Sequence, residues 1–242
     1  MRRDLVGLMV LVACAAAPAA AQEQGRDRWF NVFLQQSFPR QDTTNAQIDE
    51  INGMFGTGFD TWDDVVNLSL GLQLFWRVSP YLRMGAELDL SQGQIDGEET
   101  VDTLAGPARL KFIQRYSVFT SALLVAHVLP CPSCERVKPF ILAAAGVGYE
   151  EDRTQLTLNN SFIYEQLVVE NDGAFPVYTA GCGLDIPFAK GSDWYGIVGI
   201  AYYWGRLDHY VSAEGSLAPA PEVRADTDST GPNYWLGVGR RF

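Results

Sequence analysis

The sequence predicts an all-β fold: a closed, antiparallel, up-and-down transmembrane β-barrel of about eight strands. Three observations carry that expectation. Several runs alternate strictly between apolar and polar residues, which is the pattern of strands with one oily and one wet face. The chain of 242 residues holds 23 Gly, 10 Tyr, 13 Phe and 6 Trp, a composition that suits pleated surfaces, tight turns and close strand contacts. After the N-terminus no apolar stretch reaches the roughly 20 residues a spanning helix needs. A hydrophobic fraction of 47% with 19% charged residues and a mean hydropathy of −0.04 fit a wall that is oily on one side only. A net charge of −11 and no Lys/Arg cluster leave nucleic acid without a surface to bind.

The first segment predicts export. Arg2 and Arg3 form a positive start, Leu5 to Ala13 an apolar core and Ala19-Ala20-Ala21 a small-residue cleavage site before Gln22, as in a secretory signal peptide. Residues 1–21 are therefore set apart, and residues 22–242 form the barrel domain. The competing reading is a lipobox at Leu11-Val12-Ala13-Cys14.

The strands follow in order. Near the start, Phe30, Val32, Leu34 and Phe38 oppose Asn31, Gln35 and Ser37, with Gln36 breaking the oily side. The clearest run sets Val66, Leu68, Leu70, Leu72, Leu74 and Trp76 against Asn67, Ser69, Gly71, Gln73, Phe75 and Arg77. After Ser79-Pro80, Leu82, Met84, Ala86, Leu88 and Leu90 alternate with Arg83, Gly85, Glu87 and Asp89. A fourth strand lies within 110–128, longer than a span needs and able to project beyond the membrane, and a fifth within 138–149, where small residues leave the faces unassigned. The sixth, 177–188, points Tyr178, Ala180, Cys182, Leu184 and Ile186 outward. The seventh, Trp194 to Trp204, is aromatic at both ends and aliphatic between. Eleven tilted residues cover about 25 Å, the height of a lipid-facing band between aromatic girdles. Trp76, Trp194, Tyr202, Trp204 and Tyr234 are the expected girdle residues. The last strand places Tyr234, Leu236, Val238 and Phe242 on one face.

Connections alternate in length. Short turns fall at Ser79-Pro80, at 130–136 and at 190–192, and longer polar segments at 40–64, 92–109, 151–174 and 208–230. A helix is expected over Thr43 to Phe55, with Ile48, Ile51 and Phe55 on one side, where it can cap the barrel or meet a partner. In an oxidising compartment Cys131 and Cys134 can close a disulfide within their turn. Neither those cysteines nor Cys182, His127 and His209 supply a zinc set, and no metal or cofactor is expected.

With signal peptide, strand count, the Lys138-Pro139-Phe140 start of a Gly-rich strand and the terminal Phe242 in place, the chain resembles the small outer membrane barrels of the OmpA/OmpX type over residues 28–242. The resemblance implies an outer membrane location after signal cleavage and no peptidoglycan-binding domain. It also implies Phe242 as the signal read by the barrel-assembly machinery, and partners among outer membrane lipids and lipopolysaccharide. Arg240 departs from the pattern, at a position usually apolar, and is expected to snorkel. The barrel is expected as a monomer.

An eight-stranded barrel is just wide enough for its own side chains. Arg77, Arg83, Glu87 and Asp89 are therefore expected as an inward ion-pair network that plugs the lumen, with a narrow gated path for ions or small solutes as the alternative. Function then falls to the outer loops, where Asp60, Asp63, Asp64, Asp96, Glu98, Glu99, Glu150, Glu151, Asp152, Asp226 and Asp228 cluster. Simple solvation is one reading of these carboxylates, and divalent-cation bridging to lipopolysaccharide is the other. No enzyme is expected. The competing class is a lipid-A acylhydrolase, which needs a His-activated hydroxyl. His127 has Leu129 where that hydroxyl would stand, and His209 has Tyr210, Ser212 and Asp208 nearby.

Overall fold

Each alternating run becomes a strand, and the strands close on themselves. The computed structural model describes residues 28–38, 42–62, 67–216, 222–228 and 230–242. The expected signal peptide, the lipobox and the pair Asp63 and Asp64 lie outside them. Among the described residues the strands are β1 (Arg28–Ser37), β2 (Asn67–Ser79), β3 (Leu82–Thr103), β4 (Gly106–Val128), β5 (Lys138–Asn159), β6 (Tyr164–Pro187), β7 (Trp194–Glu214), β8 (Glu222–Asp228) and β9 (Gly231–Arg241), with a helix, α1 (Asp42–Phe55), between β1 and β2. All ladders are antiparallel, and the pairing of β6 with β7 completes a ring of β1 to β7 and β9. β8 continues the register of β9 on β7, Arg206 opposite Asp228 and Tyr203 opposite Gly231. The two segments thus trace one long strand, and the ring has eight staves.

Register fixes the shape of the tube. From Arg28 the partners run through Trp76, Met84, Ala126, Ala143, Ala180, Tyr202 and Pro232, and Pro232 bonds Phe38. One circuit therefore climbs from Arg28 to Phe38. That stagger, set against eight strand spacings, tilts the strands by about 41° and gives a backbone radius of about 8 Å. The start of β1, the end of β9 and the short turns share the proximal end. Strands β3 to β7 run 21 to 24 residues, so the tube rises about 55 Å, roughly twice the height of a membrane band.

This height corrects the sequence reading at the distal end. The polar segments at 92–109 and 151–174 are strands joined by tight turns, and much of 208–230 pairs as β7 and β8. The reason is an inversion of faces. Below, the outward face is oily; above, Ile95, Val101, Leu110, Phe112, Leu156 and Leu158 form a core inside the tube and the outward face is charged. In β4 the switch coincides with a bulge at Ser117, where the register against both β3 and β5 gains one residue. Leu123, Val125 and His127 point inward below it, and Leu110, Phe112 and Gln114 above it. One extra residue exchanges the faces of a strand, so no single period fits 106–128.

α1 forms where expected and turns Ile48 into the distal core, with Ile51 and Phe55 packed beside it. The loop behind it is pinned by two side chains. Asn45 Oδ1 accepts the Trp62 amide at 2.9 Å, and Asn52 accepts the Phe59 amide and donates to its carbonyl, both at 2.9 Å. The Trp62 indole donates to Gln114 Oε1 at 2.8 Å, which anchors the loop to the inner wall of β4.

Inside, rings lie over glycines. Phe33 stands opposite Gly71 and Gly237, Phe75 opposite Gly85, Phe140 opposite Gly183, Phe175 opposite Gly148 and Trp235 opposite Gly199. An eight-stranded lumen cannot hold two large side chains facing each other at one level, and pairing each ring with a residue lacking a Cβ fills the space without overlap. At Gly237 a Cβ would fall 2.2 Å from the Val32 carbonyl oxygen.

Candidate functional site

The inner wall is polar at three levels. At the proximal level Arg83, buried on β3, pairs with Asp185 of β6 at 2.8 Å. Its guanidinium lies 5.3 Å from the Trp29 ring centre and 5.7 and 5.8 Å from Phe75 and Phe140. His127 stacks on Phe140 at 4.2 Å and sits 3.4 Å from Arg83 through Nδ1. Arg77 is exposed at the mouth, with its guanidinium 5.4 Å from the Trp29 ring.

At the middle level Asn31 donates to Gln73 at 3.0 Å and accepts from the Tyr195 hydroxyl at 2.5 Å. Gln73 in turn donates to Glu87, and Ser121 donates to Asp89 at 2.8 Å. The expected network of Arg77, Arg83, Glu87 and Asp89 is thus divided. All but Arg77 are buried in the lumen, yet Arg83 takes Asp185 as its ion partner, while Glu87 and Asp89 bond to Gln73, to Ser121 and to each other. The sequence did hold a signal for Asp185, since the alternation of β6 places it inward. Among the described residues a cavity of about 10 Å³ lies here, lined by Gln35, Gln73, Glu87, Asp89, Thr179 and Tyr203 among others.

The distal level contains Glu150 and Asp152 of β5, with Asn171 of β6 donating to Asp152 at 3.5 Å. These two carboxyls stand inside the wall, which corrects their reading as solvated loop charges. Burial is the main cause that raises the Asp152 carboxyl to about 6, opposed by its hydrogen bonds with Asn171 and Glu150. Burial and then the Asp152 charge hold Glu150 well above the carboxylate range. Of the other acidic residues, Asp60, Asp96, Glu98 and Glu151 are exposed. Glu99 accepts the Gly58 amide at 2.8 Å, and Asp226 and Asp228 belong to β8.

Outside, the lower half is a belt of bare apolar side chains. Leu124 is 71% exposed and Leu236 69%, and Leu34, Leu70, Ile141 and Ile200 stand in the same belt. Trp76 and Trp194 mark its proximal edge, and Tyr202, Trp204 and Tyr234 its distal edge. Tyr202 and Trp204 pack at 4.9 Å, and Phe38 meets Tyr234 edge-on at 5.9 Å. Arg240 reaches over the Trp194 ring at 5.4 Å, which accommodates its charge at the belt's edge. Phe242 is tied through its main chain to Arg28, 3.0 and 3.1 Å in the two directions. A ring without edges, wrapped by so much uncovered hydrocarbon, is matched to lipid and not to water.

In fold, the chain is a small transmembrane β-barrel. Solved structures similar to the barrel include proteins described as outer membrane proteins. The attachment invasion locus protein Ail of Yersinia pestis matches at 11% identity and a TM-score of 0.38, over 90% of this chain and 100% of that one. OprG from Pseudomonas aeruginosa matches at 16% identity and 0.42, over 90% and 96%. A major outer membrane protein from Thermus thermophilus matches at 9% and 0.44, over 89% and 99%. No family model and no curated protein matches the barrel's sequence.

The remaining sequence candidates also have places. Cys131 and Cys134 are bonded, with Cα atoms 5.5 Å apart, in the turn between β4 and β5. Cys182 is exposed on the outer belt. His127 lies inside the lumen and its Nε2 has no hydrogen-bond partner, so no hydroxyl is aligned for activation there. His209 falls on β7, in a stretch expected as a loop.

Proposed function

We propose that this barrel is an integral outer membrane protein whose lumen is sealed and whose work, structural or interactive, is done at its distal rim. The observation that carries this reading is the middle of the lumen, where the cavity among the described residues is about 10 Å³, about the least that admits one water. A hydrated ion does not pass through it. Support also comes from α1, which closes the distal end with an apolar plug. The same orientation puts the short turns and both strand termini in the periplasm.

The partners in this reading are outer membrane lipids around the belt, lipopolysaccharide at the rim and the barrel-assembly machinery at Phe242, with the barrel as a monomer. The exposed carboxylates Asp60, Asp96, Glu98 and Glu151 are hard oxygen donors suited to bridging divalent cations to an anionic lipid surface. Planar-bilayer recording tests the seal: wild type and Arg83→Ala are both expected to be silent. Stepwise conductance in either replaces the sealed lumen with a narrow path along the carboxylates Glu87, Asp89 and Glu150.

A further inference from the structure

The proximal mouth contains a second, separate feature. A cavity of about 330 Å³ opens beneath Arg83, walled by Trp29, Leu129 and Tyr195 and by the three short turns. That volume lies at the small end of the range for ligand pockets. Its lining includes four cations, Arg77, Arg83, Lys138 and Arg241, against two carboxylates, Asp185 and Asp193. In a chain with 18 basic and 29 acidic residues, such a concentration opposes the overall charge. Asp185 is already engaged by Arg83. Arg83 is 2% exposed, and its Nε, like that of Arg241, is buried without a hydrogen-bond partner. Guanidinium groups are rarely left with buried unpaired donors, because the desolvation is uncompensated. The turn carrying Pro132 and Ser133 is clamped by the Cys131–Cys134 bond, so this wall is fixed in advance.

We propose that this mouth binds a small soluble oxyanion of two or more charges, with phosphate or carboxylate groups, entering from the side of the short turns. Arg83, Arg241 and Lys138 bring positive charge to its lining, and the Trp29 ring forms an apolar wall. Guanidinium groups are geometrically suited to planar or tetrahedral oxygens.

Inorganic pyrophosphate is the probe, titrated into the full chain in octyl-glucoside micelles, which contain no phosphate, at constant ionic strength. The guanidinium Nε–H resonances of Arg83 and Arg241 are expected to shift saturably. Arg241→Gln and Lys138→Gln are each expected to weaken the apparent affinity by about tenfold. Asp193→Asn is expected to strengthen it, and Arg109→Gln, at the distal rim, to leave it unchanged. Heat-modifiable gel mobility verifies that each variant is folded. A response equal in all variants, or none in folded wild type, overturns the site. A short-chain phosphatidate that shifts the same resonances while pyrophosphate does not overturns the assignment to a soluble anion in favour of a lipid headgroup.

Discussion

At the scale of single residues, glycine decides how the lumen fills. Gly237 lies where a Cβ would meet the backbone of Val32 and Phe33, whereas at Gly196, on the lipid side, it would meet nothing closer than the Phe188 ring at 3.4 Å. Gly237→Ala is therefore expected to cost about 1–3 kcal/mol by overpacking, and Gly196→Ala to be close to neutral. Urea-unfolding midpoints of the two variants in lipid vesicles check the contrast. Much at this scale was legible beforehand: the outward set of β6 and the cysteine pair both follow from local spacing. The partner of Arg83 was not, because Asp185 lies three strands away and only ring closure brings β6 opposite β3.

At the scale of elements, the distal extensions behave as a water-facing barrel joined to a lipid-facing one. Asp152 illustrates the consequence for pH. Its carboxyl rises from 3.8 to about 6 in the fold, so the folded form retains a proton that the unfolded chain has released. Its contribution to stability is complete below pH of about 4 and is lost as the pH climbs through about 6. Amide-exchange protection at the distal ends of β5 and β6 is expected to fall across that window, and Asp152→Asn to flatten the fall. The cap offers a second test at this scale. Asn52→Ala removes hydrogen bonds to Phe59 and Thr57, and faster proteolysis after α1, with an intact barrel below, is the expected result. These extensions were hidden in the sequence because their outward faces are polar and read as loops. The face exchange at Ser117 removed the single period by which a strand of that length would have been recognised.

At the scale of the whole molecule, closure joins two solvents along one tube. Leu34, Leu124 and Leu236 need lipid, while Ile48, Trp62 and Phe112 need only one another. Stripping detergent is thus expected to aggregate the protein while the distal indole of Trp62 stays shielded, which quenching by iodide reads directly. The eight-strand count and the position of α1 were legible because each depends on a local pattern and an even number of crossings. The stagger and the height were not, since both are properties of the ring.

That height has a mechanical consequence. With about 55 Å of wall and a membrane band of about 25 Å, roughly half the tube stands clear of the bilayer on stiff, hydrogen-bonded stems. The hairpin tips bearing the bare side chains of Leu104 and Phe162 are what an approaching surface touches first. Their positions are set before any encounter, so contact there forfeits little conformational freedom.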